Sequence, residues 1–262
     1  MREVNNIPIF HIASIARSGE TILMRNLSVH TKIKIVHNFW SSDTFIQQAM
    51  YKHLKKRSNT KISRFNFLAL PYRLKKGDVL ILKQGVWRHP FQFQGLILVR
   101  NPLSIFASLR SYDEKHYDIP AGKVAWDFTN ARLRRWLADE APKALNGYDE
   151  KTPIEQFSIY YNNRMENLLS RDLPILRYED LVTSPQQELA RVLNIIGVDI
   201  QDKVFHAEKE FEDGYLGHGF SDFSKPLNSD SLKSYQNKLS EDEIYQLTEL
   251  TSNFSKELGY IL

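Results

Sequence analysis

Residues 10–23 read Phe10-His11-Ile12-Ala13-Ser14-Ile15-Ala16-Arg17-Ser18-Gly19-Glu20-Thr21-Ile22-Leu23, an apolar run that passes through small residues into a helical pattern. A strand handed directly to a helix by a glycine-containing turn is the context an anion-binding loop needs. Unpaired backbone N–H groups at the helix start, together with the positive end of its dipole, hold an anion, and Gly19 lets the backbone come close to it. The same small residues also suit a turn that binds nothing, so the rest of the chain has to decide. Laid against the triphosphate pattern G-x-x-x-x-G-K-[ST], Ser14 to Thr21 keeps the second glycine and the hydroxyl but puts Glu20 where the lysine belongs. That lysine reaches the terminal phosphates of ATP or GTP, so a carboxylate in its place argues against a triphosphate ligand. Arg17, three residues earlier, is the cation available instead.

Around this turn the chain alternates strand and helix. Ile7 to Ser14, Ile33 to His37, Val79 to Lys83, Leu96 to Arg100 and Pro174 to Tyr178 are short runs rich in Ile, Leu and Val. They are continuously apolar rather than alternating, as strands covered on both faces are. Between them lie helical spacings such as Pro185 to Ile196, where Leu189, Val192, Leu193 and Ile196 recur at threes and fours. The expectation is a single α/β domain over residues 1–262, with a central parallel sheet of about five strands flanked by helices. The second half is mostly helical, over Ala121 to Ala141, Thr152 to Arg171 and Glu241 to Leu258, and Asp213 to Asn228 reads as a long loop.

Composition narrows the chemistry. The chain has 262 residues, 42% of them apolar, enough for a substantial core. It has no cysteine, which removes disulfides, thiolate metal sites and cysteine nucleophiles. Its eight histidines show no H-E-x-x-H spacing, and no metal is expected. With 35 basic against 31 acidic residues the net charge is +4, too mild to call for a nucleic acid and better suited to a small anion. The basic runs His53 to Arg57 and Arg132 to Arg135 read as solvated helix faces. No stretch is long and apolar enough for a membrane span, and the amino terminus lacks the zones of a signal peptide, so the expected location is cytoplasmic.

A second strand-to-helix turn follows at Leu96-Ile97-Leu98-Val99-Arg100-Asn101-Pro102-Leu103-Ser104-Ile105-Phe106-Ala107-Ser108. Asn101 suits an N-cap and Pro102 the first helical position. Arg100 then stands at the carboxyl end of a strand, where open α/β sheets bind ligands, and Ser108 lies about two turns into the helix. An R-S-G-x-T loop followed by R-[DN]-P-x-x-x-x-x-S resembles the paired cofactor motifs of the sulfotransferases that use PAPS (3′-phosphoadenosine 5′-phosphosulfate), which have a P-loop-like architecture. Leu176-Arg177-Tyr178-Glu179-Asp180-Leu181 is similar to the family's Y-E-D-L segment, and Leu258-Gly259-Tyr260 extends the likeness to the chain's last residues.

The resemblance implies that Arg17, Ser18, Gly19, Glu20 and Thr21 hold the 5′-phosphosulfate and that Arg100 and Ser108 hold the 3′-phosphate. It also implies that Tyr178 touches the adenine and that Lys225, in the late loop, comes over the 3′-phosphate. Two features depart from the family: Glu20 replaces the usual threonine, and the late loop lacks an R-K-G tripeptide. A carboxylate in the first helical turn is favourable to the dipole, so the first departure does not by itself disable the loop. Sulfuryl transfer builds charge on the bridging oxygen of the departing 3′,5′-adenosine diphosphate, so positioned cations should dominate catalysis. Arg17 and Lys83 are the candidates. The acceptor hydroxyl needs a base, for which His37 is the first candidate, Asp43 the second and His89 the third. Trp40, Phe39, Trp87, Phe91 and Phe93 form a candidate aromatic wall for a glycan or other small hydroxyl acceptor. Two alternatives stay open. A P-loop kinase should carry the lysine that Glu20 replaces, and a non-catalytic anion-binding protein would keep both phosphate sites without the base.

Overall fold

The structure is a computed structural model that describes residues 3–4, 7–36, 75–83, 94–116, 125–214 and 222–260. The strands are β1 (Glu3–Val4), β2 (Ile7–Ser14), β3 (Ile33–Val36), β4 (Val79–Lys83), β5 (Gln94–Val99) and β6 (Ile175–Arg177). The described α-helices are α1 (Glu20–Ser28), α2 (Pro102–His116), α3 (Ala125–Glu140), α4 (Pro153–Leu169), α5 (Tyr178–Thr183), α6 (Pro185–Ile196) and α7 (Glu241–Glu257). The sheet runs β3-β4-β2-β5-β6 and is all parallel along this path, as the continuous apolar runs predict. Outside it, β1 pairs antiparallel with β2, a two-residue strand too short to leave a pattern in the sequence.

This order puts the topological switch at β2 and β5. The chain leaves β2 toward β4 and β3 on one side and returns to β5 on the other, so the loops after β2 and β5 diverge. Open α/β sheets bind ligands in the crevice such divergence leaves at the carboxyl ends of the strands.

The chain groups into two compact units. The first comprises Met1–Ala13, Glu20–Leu96 and Ser184–Pro226. Here β2 and β4 pair from Ile9↔Leu80 to Ile12↔Lys83, and β3 lies beside β4. Phe10, Ile12, Leu80 and Ile81 are buried, each such side chain contributing about 1.5–3 kcal/mol by leaving water. Gly95 of β5 passes so close to the His11 carbonyl of β2 that a Cβ would overlap it. The buried stripe of α6 is the expected Leu189, Val192, Leu193 and Ile196, and Gly197 ends the helix at φ 83. His30 ties the α1–β3 turn down, because its Nδ1 accepts the Lys32 N–H at 3.1 Å while Nε2 donates to the Asp199 carbonyl at 2.9 Å.

The second unit comprises Ser14–Gly19, Ile97–Thr183 and Leu227–Leu262. Its core is aromatic: Phe106 packs against Trp126 and Phe157 at 5.4 and 5.2 Å, and Trp136 meets Tyr160 edge-on at 5.3 Å. Helix α4 starts at a capping box, Thr152 with Glu155, and α7 at a second, Ser240 with Glu243. The basic run Arg132 to Arg135 lies on α3, with Leu133 turned inward and the three arginines exposed. No helix among the described residues is long and apolar enough to cross a membrane, and no group of metal-ligating side chains gathers among them.

Candidate functional site

The site is built in the second unit from the loop Ser14–Gly19, the end of β5 and the end of β6. Arg17 takes a left-handed backbone at φ 72, followed by Gly19 at φ 97, and the turn closes with the Ser18 N–H donating to the Ile15 carbonyl at 3.2 Å. Two positive φ values in three residues swing the loop away from the strand direction just before α1 begins at Glu20. Ser18 is fully buried, and its Oγ has no hydrogen-bond partner among the described residues. Glu20 and Thr21 occupy the first turn of α1, both half-buried.

Arg100 follows β5 directly. Its Nη1 donates to the Arg17 carbonyl at 3.0 Å, and Arg17 Nε donates to Ser108 Oγ, also at 3.0 Å. The two motifs, more than eighty residues apart in sequence, are therefore joined by hydrogen bonds. Asn101 caps α2 as its residue type predicts, its Oδ1 accepting the Leu103 N–H at 2.8 Å. That cap fixes where α2 starts and hence where Ser108 stands on it.

Tyr178 lies under both loops. The Arg100 guanidinium sits 4.4 Å from the centre of its ring. A Cβ on Gly19 would come within 2.6 Å of Tyr178 Cε2 and nearer still to Cδ2, so this position excludes a side chain for two reasons, its φ and the ring packed on it. The Tyr178 hydroxyl is hydrogen-bonded to the Ser231 hydroxyl at 2.9 Å, and only 7% of the residue is exposed.

Arg100 carries the electrostatic point. It is 9% exposed, its Nε is buried without a hydrogen-bond partner, and no carboxylate among the described residues pairs with it. A desolvated cation with no counter-charge is costly, and the unmet donors are what a phosphate or sulfate oxygen would satisfy. Arg17, half-buried and one carbonyl away, adds a second positive charge. The arrangement suits a ligand that brings anionic groups to this loop pair.

Two of the remaining expected residues belong to the first unit. Lys83 closes β4 in the first unit. Lys225, also in that unit, has a largely exposed side chain whose Nζ lies 3.4 Å from Asp222 Oδ2. His37, Asp43, His89 and the aromatic residues Phe39, Trp40, Trp87, Phe91 and Phe93 fall outside the described residues.

Two buried arginines were not singled out from the sequence. Arg164 of α4, 2% exposed, donates from Nη2 to the Ser14 carbonyl at 3.3 Å and stacks on Trp136 at 5.0 Å, holding the end of β2 where the loop begins. Its signal was available: it sits on the same helical face as the buried Phe157, Tyr161 and Leu168, where a charge is out of place. Arg25, at the end of α1, donates to the Lys225 carbonyl at 2.5 Å and to Asn26 Oδ1, so it fixes the backbone that carries Lys225. Burial pulls its guanidinium below the ordinary arginine range, with Glu208 opposing.

No family model and no curated protein sequence matches the chain. Solved structures do. A sulfotransferase domain from the curacin biosynthetic pathway superposes with a TM-score of 0.55 at 17% identity, over 98% of each chain. A sulfotransferase domain from the Synechococcus PCC 7002 olefin synthase does so at 0.54 and 18%, over 95% of this chain and 94% of that one. The mouse sulfotransferase SULT7A1, complexed with PAP, matches at 0.52 and 12%, over 96% of this chain and 85% of its own. Superposing over nearly its whole length on these structures at TM-scores above 0.5, this protein has the sulfotransferase fold.

Proposed function

We propose that the chain is a sulfotransferase, one domain over residues 1–262, that transfers a sulfuryl group from PAPS to a hydroxyl of a carbohydrate or other small acceptor. One observation carries this reading: a buried Arg100 guanidinium without a carboxylate partner among the described residues, hydrogen-bonded to a loop whose Arg17 reaches Ser108. In this reading Arg100 and Ser108 hold the 3′-phosphate, with Lys225 brought to it by the late loop. Arg17 to Thr21 hold the 5′-phosphosulfate, and Tyr178 borders the adenine. Bound PAPS supplies the activated sulfuryl group. The chain's own work is to neutralise charge on the bridging oxygen, through Arg17 and Lys83, and to take the acceptor's hydroxyl proton, through His37.

Ligand preference tests the assignment. At a hundredfold excess over its dissociation constant, 3′,5′-adenosine diphosphate should stabilise the protein by about 2.7 kcal/mol and raise its melting temperature far more than ATP with magnesium. Arg100→Ala should remove most of that gain while leaving the small effect of 5′-AMP, since a charge-assisted bond to the 3′-phosphate exists only for the first nucleotide. The opposite ranking of ATP and 3′,5′-adenosine diphosphate would move the assignment to a kinase. Mass-detected sulfate transfer to a panel of glycans and phenols, compared between the native chain and His37→Ala, tests the catalytic half. Activity unchanged by the substitution removes His37 from the proposed role. Nucleotide binding with no transfer to any acceptor would favour a non-catalytic anion-binding protein.

A further inference from the structure

Strands β5 and β6 lie parallel in a register that ends with Val99 opposite Arg177. The residues that follow are consequently matched in pairs, Arg100 with Tyr178 and Asn101 with Glu179, and each pair is in contact. The Arg100 guanidinium lies 4.4 Å over the Tyr178 ring, and the Asn101 N–H donates to Glu179 Oε1 at 2.9 Å. The other Glu179 oxygen is also used, since Oε2 accepts the Tyr260 hydroxyl at 2.9 Å. Tyr260 is itself held, buried, with the Arg177 guanidinium 4.7 Å over its ring and Arg177 Nη2 donating to the Gly259 carbonyl at 3.4 Å.

We infer that Glu179 is a positioning residue for Arg100: its carboxylate joins the peptide that follows Arg100 to the hydroxyl of Tyr260, and so makes the chain's last turn part of the anion site. The inference rests on the proposed role of Arg100 at the 3′-phosphate. Its physical content is geometric. A guanidinium has several rotatable bonds, and its direction is only as defined as the Cα that carries it. The Asn101 amide is the first group beyond that Cα, and bonding it to a carboxylate that is itself fixed at its second oxygen leaves the Arg100–Asn101 peptide one orientation. Tyr178 then supports the side chain from below. Burial and the neighbouring Glu179 charge push the Tyr260 phenol well above its ordinary value, which keeps it protonated as the donor the bridge needs.

The role is geometric rather than electrostatic, and this separates Glu179→Gln from Glu179→Ala. Glutamine keeps an oxygen for the Asn101 N–H and offers an amide to the Tyr260 oxygen, so the bridge survives without its charge. Alanine removes it. Dissociation constants for 3′,5′-adenosine diphosphate and 5′-AMP, measured by titration calorimetry on the full chain, give a ratio that reports the 3′-phosphate contact alone. Glu179→Ala should reduce the native preference for the 3′-phosphorylated nucleotide by about tenfold, Glu179→Gln should restore most of it, and Tyr260→Phe should lose about threefold. Equal weakening of both nucleotides in Glu179→Ala and Tyr260→Phe would make Glu179 merely structural and overturn the inference. If Glu179→Ala fails to fold, Tyr260→Phe decides, since it removes a single hydroxyl: an unchanged ratio refutes the bridge. Arg100→Ala serves as the independent control. A selective loss there with none at Glu179 or Tyr260 rejects the positioning role alone, whereas no selective loss at Arg100 rejects the underlying assignment.

Discussion

Arg17 holds the left-handed backbone that glycine adopts freely, at φ 72, and for an ordinary residue this costs about 1–2 kcal/mol. The strain persists because the conformation points the carbonyl at Arg100 while the side chain reaches Ser108. Arg17→Gly therefore relieves the backbone while giving up at least the hydrogen bond to Ser108, worth about 1 kcal/mol, so the two effects oppose each other. Urea midpoints should leave the variant within about 1 kcal/mol of the native chain, while affinity for 3′,5′-adenosine diphosphate falls tenfold or more. A large loss of stability with affinity intact would make Arg17 a structural residue. At this scale the sequence was informative wherever chemistry is local: Arg17, Gly19, Arg100 and Ser108 stand out because a strand-to-helix turn prescribes residue types at fixed spacing. It was silent on who meets whom. Nothing in the spacing of residues 19 and 178 says that a tyrosine ring fills the space a Cβ would need, nor that Glu179 answers to Tyr260.

Among the elements, β2 and β4 have the bounds expected from their apolar runs, and α6 has those expected from its stripe, because burial on both faces or on one face writes itself into composition. Two elements left no such trace. Strand β1 is two residues long, and α5 is six residues that begin immediately after β6, so the Y-E-D-L segment reads as the close of a strand although Tyr178 is the first residue of a helix. The start of α7 offers a test of how such an element is held. Glu243 accepts the Ser240 N–H at 2.8 Å and pairs with Arg110 Nη1 at 2.6 Å, while Arg110 Nη2 also donates to the Lys238 carbonyl. Burial works against ionising Glu243, yet the Ser240 and Arg110 bonds outweigh it and hold the carboxyl below its ordinary 4.5. A value depressed by folding contributes stability that is complete above the unfolded value and is lost as pH falls through the folded one. Glu243→Gln should thus cost on the order of 1 kcal/mol at neutral pH. Urea midpoints taken down to about pH 3 should show the gap to the native chain closing below 4.5. A gap independent of pH would assign the loss to packing instead.

At the scale of the molecule, the second unit is assembled from three stretches of chain, Ser14–Gly19, Ile97–Thr183 and Leu227–Leu262. The sequence implied one domain and gave no sign of this grouping, since membership is decided by contacts such as Arg164 to Ser14 and Asn162 to the Leu250 carbonyl, which join residues 88 to 150 positions apart. A ligand bound to Arg17, Arg100 and Ser108 touches only the first two stretches directly. If the unit opens as one body, its binding energy must nevertheless appear in every amide that exchanges through that opening. Saturating the protein with 3′,5′-adenosine diphosphate at a hundredfold excess should then slow hydrogen exchange by about a hundredfold in the slowest amides of α4 and α7 as well as in the loop. ATP with magnesium should leave them unchanged. Protection limited to residues near Arg17 and Arg100 would mean that the loop opens on its own while the helices behind it hold, and the anion site would then be a local feature laid on a scaffold that does not feel its ligand.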